Sequence, residues 1–240
     1  MKISSTRIAV LAAFAFLCAG LPAFGQAIVK VQYTGTYSTT WSNVDGDFGA
    51  GIYSGTVNGA ATPGIICDDF NDEITSGETW NAKAYQVSTL ISSGNLGNTL
   101  FGNTIGATGY AEIATLVSML FGGTTTYGAI TGITQAELSS AIWDITTPGG
   151  ISGLDSTATA LVAAVEAAFN GNTSKADAYL ATLTNLWILT PTPQGPGEAQ
   201  EMWTENLAVA EGGAALLYLL LAGLFCSWTF FIRNRDRIRT

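Results

Sequence analysis

The residues with the most chemical potential crowd between positions 67 and 73. Cys67-Asp68-Asp69-Phe70-Asn71-Asp72-Glu73 brings one thiol, four carboxyls and a carboxamide into seven consecutive residues. Calcium takes its ligands from oxygen-rich runs of this kind, which makes Asp68, Asp69, Asn71, Asp72 and Glu73 candidates for cation binding. The helix-loop-helix calcium spacing nevertheless fails here. Counted from Asp69, Ile74 stands where glycine is required and Trp80 where the closing glutamate belongs. Asp45 and Asp47 fail likewise, with Thr56 at the final position. A solvated acidic loop is the simpler expectation, and no metal or other cofactor is implied.

The sequence contains no histidine. This excludes Ser-His-Asp and Cys-His nucleophilic machinery and every zinc site built on imidazole. Paired-carboxyl chemistry on polysaccharide stays formally open, with Asp69 and Glu73 as its acids, but no paired-acid motif supports it. The expectation is a protein that binds or builds rather than catalyses. Cys18 and Cys226 lie in apolar segments near the ends, so Cys67 stands alone in the body, without a partner for an internal disulfide. Its plain reading is a small buried hydrophobe beside Ile65 and Ile66.

Charge narrows the partners. Between Gln26 and Glu211 only Lys30, Lys83 and Lys175 are basic, against seventeen acids, a net charge of −14. Such a body repels phosphate backbones, so nucleic acid is excluded as a partner. Binding divalent cations, or staying soluble in an anionic matrix, fits better. Ample Val, Ile, Leu and aromatic content gives one packed core rather than disorder.

The elements that must position these residues form two blocks, predicting an α+β class: a β-sandwich or barrel carrying a helical section. The first block, Ile28 to Trp80, is β-rich. Ile28–Tyr33 and Gly35–Trp41 alternate β-branched and aromatic residues between glycines. A turn near Asn43–Asp47, a strand over Gly51–Val57, an Asn58-Gly59 turn and a short apolar strand at Ile65-Ile66-Cys67 follow. The second block is helical. Tyr110–Phe121 has apolar residues at helical spacing, stopped by Gly122-Gly123. Thr134 with Glu137 forms a capping-box pattern for Gln135–Ile145. Ser156–Phe169 and Lys175–Leu183 supply two more helices. Leu186–Leu189 returns as a strand, and 191–210 is either a linker or a final strand centred on Met202-Trp203-Thr204.

Cys67-Asp68-Asp69-Phe70 together with Ala141-Ile142-Trp143-Asp144 resembles the thioester adhesin domains. That family pairs a strand-borne Cys with a Gln two residues before an Ala-Ile-Trp helix segment, and their side chains condense into a thioester. The Gln position falls on Ser139 here, which has no carboxamide, and Gln135 lies one helical turn earlier. The resemblance therefore implies a relative of the fold in which Cys67 and Ser139 occupy the thioester positions without forming the bond.

The two ends carry targeting signals. Lys2 and Arg7, the apolar stretch Ile8–Leu21, Pro22 and the small residues Ala23 and Gly25 form a secretory signal over 1–25, cut before Gln26. At the other end, 214–232 is uncharged and, at about 1.5 Å per residue, spans nearly 30 Å, a bilayer's hydrocarbon thickness. Arg233, Arg235, Arg237 and Arg239 follow it and hold the tail in the cytoplasm. A body exported across the inner membrane is the consequence. Ala210-Glu211-Gly212-Gly213, the transmembrane helix and the arginine tail together resemble a PEP-CTERM sorting signal, with Ala210 where the family has Pro. The resemblance covers 211–240. It implies signal peptidase and an exosortase as processing enzymes, a membrane-held intermediate, and a final place on the cell surface or in exopolysaccharide.

Overall fold

The computed structural model describes residues 26–43, 46–147, 149–194 and 199–207. The signal segment 1–25 and the sorting residues Ala210, Glu211, Gly212, Gly213, Arg233, Arg235, Arg237 and Arg239 lie outside the described residues, as does 214–232. Among the described residues no helix is long and apolar enough to cross a membrane. The compact unit described here ends at Leu207.

The class is α+β, built on one large antiparallel sheet. Its strands are β1 (Gln26–Asn43), β2 (Gly46–Val57), β3 (Ala60–Ala61), β4 (Ile66–Cys67), β5 (Thr79–Gln86), β8 (Leu186–Pro191) and β9 (Met202–Glu205). They run in the order β3-β2-β1-β5-β8-β9-β4. A separate hairpin pairs β6 (Thr126–Tyr127) with β7 (Ile130–Thr131). Tyr53 and Ile65 exchange hydrogen bonds of 2.8 and 2.9 Å. The β4 end of the sheet is thereby tied back to β2, and the strand segments form one curled sheet rather than two facing ones.

Three differences from the sequence expectation have physical causes. Ile28–Tyr33 and Gly35–Trp41 are one strand, not two. Gly35 takes φ +94°, where a Cβ would meet the Ser76 hydroxyl at 2.0 Å, and the β1–β2 register shifts on either side of Tyr37. The glycine marks a bulge inside a continuous strand rather than its end. Strand β5 carries no strand signal in sequence, yet it lies between β1 and β8. Its inward residues Ala82 and Ala84 are fully buried, and alanine has little β-propensity. Met202–Glu205 is a strand held between β8 and β4, which settles that part of the 191–210 segment as folded structure.

Side-chain alternation divides the core in two. Val29, Val31, Tyr33, Tyr53, Cys67, Ala84, Leu189 and Met202 point into the curl of the sheet. Their neighbours Ile66, Tyr85, Ile188 and Trp203 point the other way, into the helices. Those helices are α1 (Val87–Ser92), α2 (Gly106–Gly122), α3 (Gln135–Thr146), α4 (Ser156–Phe169) and α5 (Thr173–Leu180). Helix α2 is the hub, since residues such as Tyr110, Ile113, Leu116, Val117 and Leu120 are buried on nearly all its faces. It stops at Gly123, which takes the left-handed conformation that glycine favours. The capping box at α3 forms as its sequence predicts: Glu137 accepts from Thr134 N at 2.6 Å, and Thr134 Oγ1 accepts from Glu137 N at 3.2 Å.

Candidate functional site

The segment after β4 is fixed from two sides. Trp143 Nε1 of α3 donates to the Cys67 carbonyl at 3.1 Å, and Thr146 Oγ1 donates to the Asp68 carbonyl at 2.5 Å. From the β9 side, Gln200 Nε2 donates to the Asp69 carbonyl at 2.9 Å and also to the Asp72 carbonyl. The two short motifs singled out in sequence, 67–70 and 141–144, therefore meet in space. Gln200 carried no sequence signal beyond its place just before Met202-Trp203.

The acidic run does not act as one cluster. Asp68 turns into the core, where its Oδ2 accepts from Trp203 Nε1 at 2.6 Å. Glu201 is buried as well and accepts from three donors: Tyr110 Oη at 2.6 Å, Leu100 N at 2.8 Å and Thr190 Oγ1 at 2.5 Å. Asp68 Oδ1 has no hydrogen-bond partner. Burial, and then the charge of Glu201, push the Asp68 carboxyl well above the usual range. Burial raises Glu201 too, while its donors from Thr190, Tyr110 and Leu100 pull it down. Three donors against one favour the charge on Glu201 over Asp68. Neither acid was separable from its neighbours by sequence, because inward and outward carboxyls look alike.

Asp69 Oδ1 accepts from Asn71 N at 3.0 Å. Burial first, then the charge of Asp72, pushes its carboxyl up to about 6. Asn71 and Glu73 are exposed. Among the described residues no group of three metal-type side chains is placed to hold an ion.

The thioester positions are engaged otherwise. Ser139 is buried, and its Oγ accepts from Gly51 N at 2.8 Å. Gln135 Oε1 accepts from Ser38 Oγ. The Cys67 thiol donates to the Asp69 carbonyl at 3.0 Å and receives Asp69 N at 3.3 Å. Burial, then the charges of Asp68 and Asp69, pushes the thiol well above its ordinary range, which suppresses the reactive thiolate. The Asp69 carbonyl is shared, since it also accepts from Gln200 Nε2.

Beside this segment opens a cleft of about 280 Å³. One wall is tyrosine. Tyr33 and Tyr37 of β1 meet Tyr53 of β2 edge-on, at 5.6 and 6.3 Å between centroids. The other wall is Phe48, Phe70 and Trp143, with Phe48–Phe70 at 5.0 Å and Phe70–Trp143 at 5.5 Å. Gly49 lies at the tyrosine wall, where a Cβ would strike the Tyr37 ring at 2.7 Å, and its carbonyl accepts from Tyr53 Oη at 2.5 Å. Asp47, Asp69, Asp72 and Glu73 supply carboxyls to the lining. A second cleft of about 460 Å³ lies between α2, α3 and α4, with Glu112, Asp144 and Glu166 in its lining. Burial, then the charge of Glu166, pushes Glu112 up to about 7. This cleft has no aromatic wall.

Compared with known protein families, with curated proteins and with solved structures, the chain matches none.

Proposed function

We propose that the chain is an exported protein, sorted to the cell surface or extracellular matrix by its PEP-CTERM-like tail, whose body binds a glycan chain of the surrounding exopolysaccharide without catalysis. The observation that carries the binding half is the aromatic cleft beside Asp69. Tyr37, with the part-buried Phe48 and Phe70, offers apolar ring surface for the C–H faces of sugar rings, and the carboxyls of the lining accept from hydroxyls, while Tyr33, Tyr53 and Trp143 are buried. Tyr37 is 48% exposed, so its ring is open to a ligand in the cleft. The sorting half rests on the sequence of 211–240.

Non-covalent binding is favoured over a thioester adhesin. Ser139 has no carboxamide and is spent on Gly51, and the Cys67 thiol is held in its protonated form. The fold is inferred to be a thioester-less, barrel-like relative of those domains, supported by the meeting of the 67–70 and 141–144 segments. The test is co-sedimentation of the full chain, in mild detergent, with insoluble exopolysaccharide. The wild type is expected in the pellet and Tyr37→Ala in the supernatant. Equal retention of both, with the variant's thermal melt unchanged, overturns the assignment of the cleft.

A further inference from the structure

The hydrogen-bonding inventory of the cleft is lopsided. Three of the donors along it are already spent: Trp143 Nε1 on the Cys67 carbonyl, Tyr53 Oη on the Gly49 carbonyl, and Gln200 Nε2 on the Asp69 and Asp72 carbonyls. The lining carries four carboxyls, of which Asp69 already accepts from Asn71 N, and among the described residues no lysine or arginine lines it. A site of this kind is matched by a ligand rich in donors and positive in charge. A neutral sugar, whose hydroxyls both donate and accept, leaves part of the carboxylate capacity unused. A uronic acid or sulfated sugar is repelled.

We infer that the cleft selects hexosamine units bearing free amino groups. The inference rests on the glycan-binding reading above and narrows it to one class of sugar. A protonated amine brings three donors and a charge to a lining that carries the carboxyls of Asp47, Asp69, Asp72 and Glu73. The exposed Tyr37 ring adds to this twice, since it can stack on the sugar ring and attract the cation through its face. Charge acts at longer range as well: a body of net charge −14 steers a polycation toward itself and a polyanion away. N-acetylation would remove the charge and two of the three donors.

The experiment is calorimetric titration of the full chain in mild detergent at pH 6.5, with four oligomers of equal length: free-amine glucosamine, N-acetylglucosamine, glucose and lysine. The free-amine sugar is expected to bind at least about tenfold more tightly than its acetylated form, and to weaken as salt rises from 0.05 to 0.5 M. Asp47→Asn with Glu73→Gln changes two exposed, near-isosteric side chains. It should erase the preference for the free amine while leaving the thermal melt in place. Tyr37→Ala should weaken the free-amine sugar about tenfold. Equal binding of the acetylated or glucose oligomers overturns the amine inference and leaves the glycan reading standing. Binding of the lysine oligomer alone overturns the sugar. No binding by any of the four overturns both readings.

Discussion

The indole Nε1 of Trp143 donates a 3.1 Å hydrogen bond to the carbonyl of Cys67, joining α3 to the end of β4 across 76 residues of chain. Both groups are buried, so water cannot replace the bond if it is lost. Trp143 also packs at 5.9 Å from Trp41 and 5.5 Å from Phe70. One side chain therefore builds a wall of the cleft and fixes the backbone beside it.

Trp143→Phe separates those two roles, because it keeps a ring and removes the donor. The Cys67 carbonyl would be left buried without this partner, at a cost of about 1–3 kcal/mol. Chemical denaturation should show that loss, and glycan binding should fall with it as the 67–73 segment loosens. Unchanged stability in Trp143→Phe would mean that the hydrogen bond contributes nothing.

The buried acids predict how stability depends on pH. Asp68 and Glu201 are raised, Asp69 is raised to about 6 and Glu112 to about 7. A carboxyl raised in the folded state binds its proton more tightly there than in the unfolded chain. Its contribution is fully present below the ordinary carboxyl range near pH 4 and is lost as pH rises through the folded value. The melting temperature should thus decline from pH 5 to pH 8. Asp68→Asn keeps an oxygen for Trp203 Nε1 and removes one titration, so its decline should be shallower. A melting temperature that climbs over this interval contradicts the raised carboxyl of Asp68.

Legibility in the sequence followed how local each cause was. The capping box at Thr134 and Glu137, the stop at Gly123 and the span Ser156–Phe169 are set within a few residues, and the sequence predicts all three. Strand β5 was hidden because Ala82 and Ala84 owe their burial to Val29, Leu189 and their neighbours rather than to their own propensity. The acidic run was visible, but its division was not. Asp68 faces the core because Trp203 and Glu201, more than 130 residues away, place a donor and a competing charge there. Gln200 and Glu201 were hidden for the same reason, since most of their partners come from distant parts of the chain.

The proposed sorting role of 211–240 makes a topological prediction independent of the cleft. A reporter fused after Thr240 in the unprocessed precursor should be inaccessible from outside the cell. Replacing Arg233, Arg235, Arg237 and Arg239 with glutamate should weaken retention or scramble orientation, because cationic residues beside a span resist translocation. Outside access to the reporter in the wild-type precursor refutes a cytoplasmic tail.

Cys67 decides between non-covalent binding and covalent capture. Its thiol is buried, hydrogen-bonded to Asp69, and raised by burial and by two neighbouring acids. It should remain a free thiol that alkylates slowly in the folded protein and quickly after unfolding. The intact mass should equal that of the processed sequence, without the loss of one ammonia that a thioester entails. Cys67→Ala should cost its packing and the sulfur's hydrogen bonds to Asp69, about 1–3 kcal/mol, with glycan binding intact. The arrangement that could defeat this is specific: Gln200 Nε2 and the Cys67 thiol both bond to the Asp69 carbonyl, which places a carboxamide near the sulfur. Incubating the folded protein with methylamine tests it directly. A stable adduct that disappears in both Cys67→Ala and Gln200→Glu would establish a thioester between those two residues and make the protein a covalent adhesin.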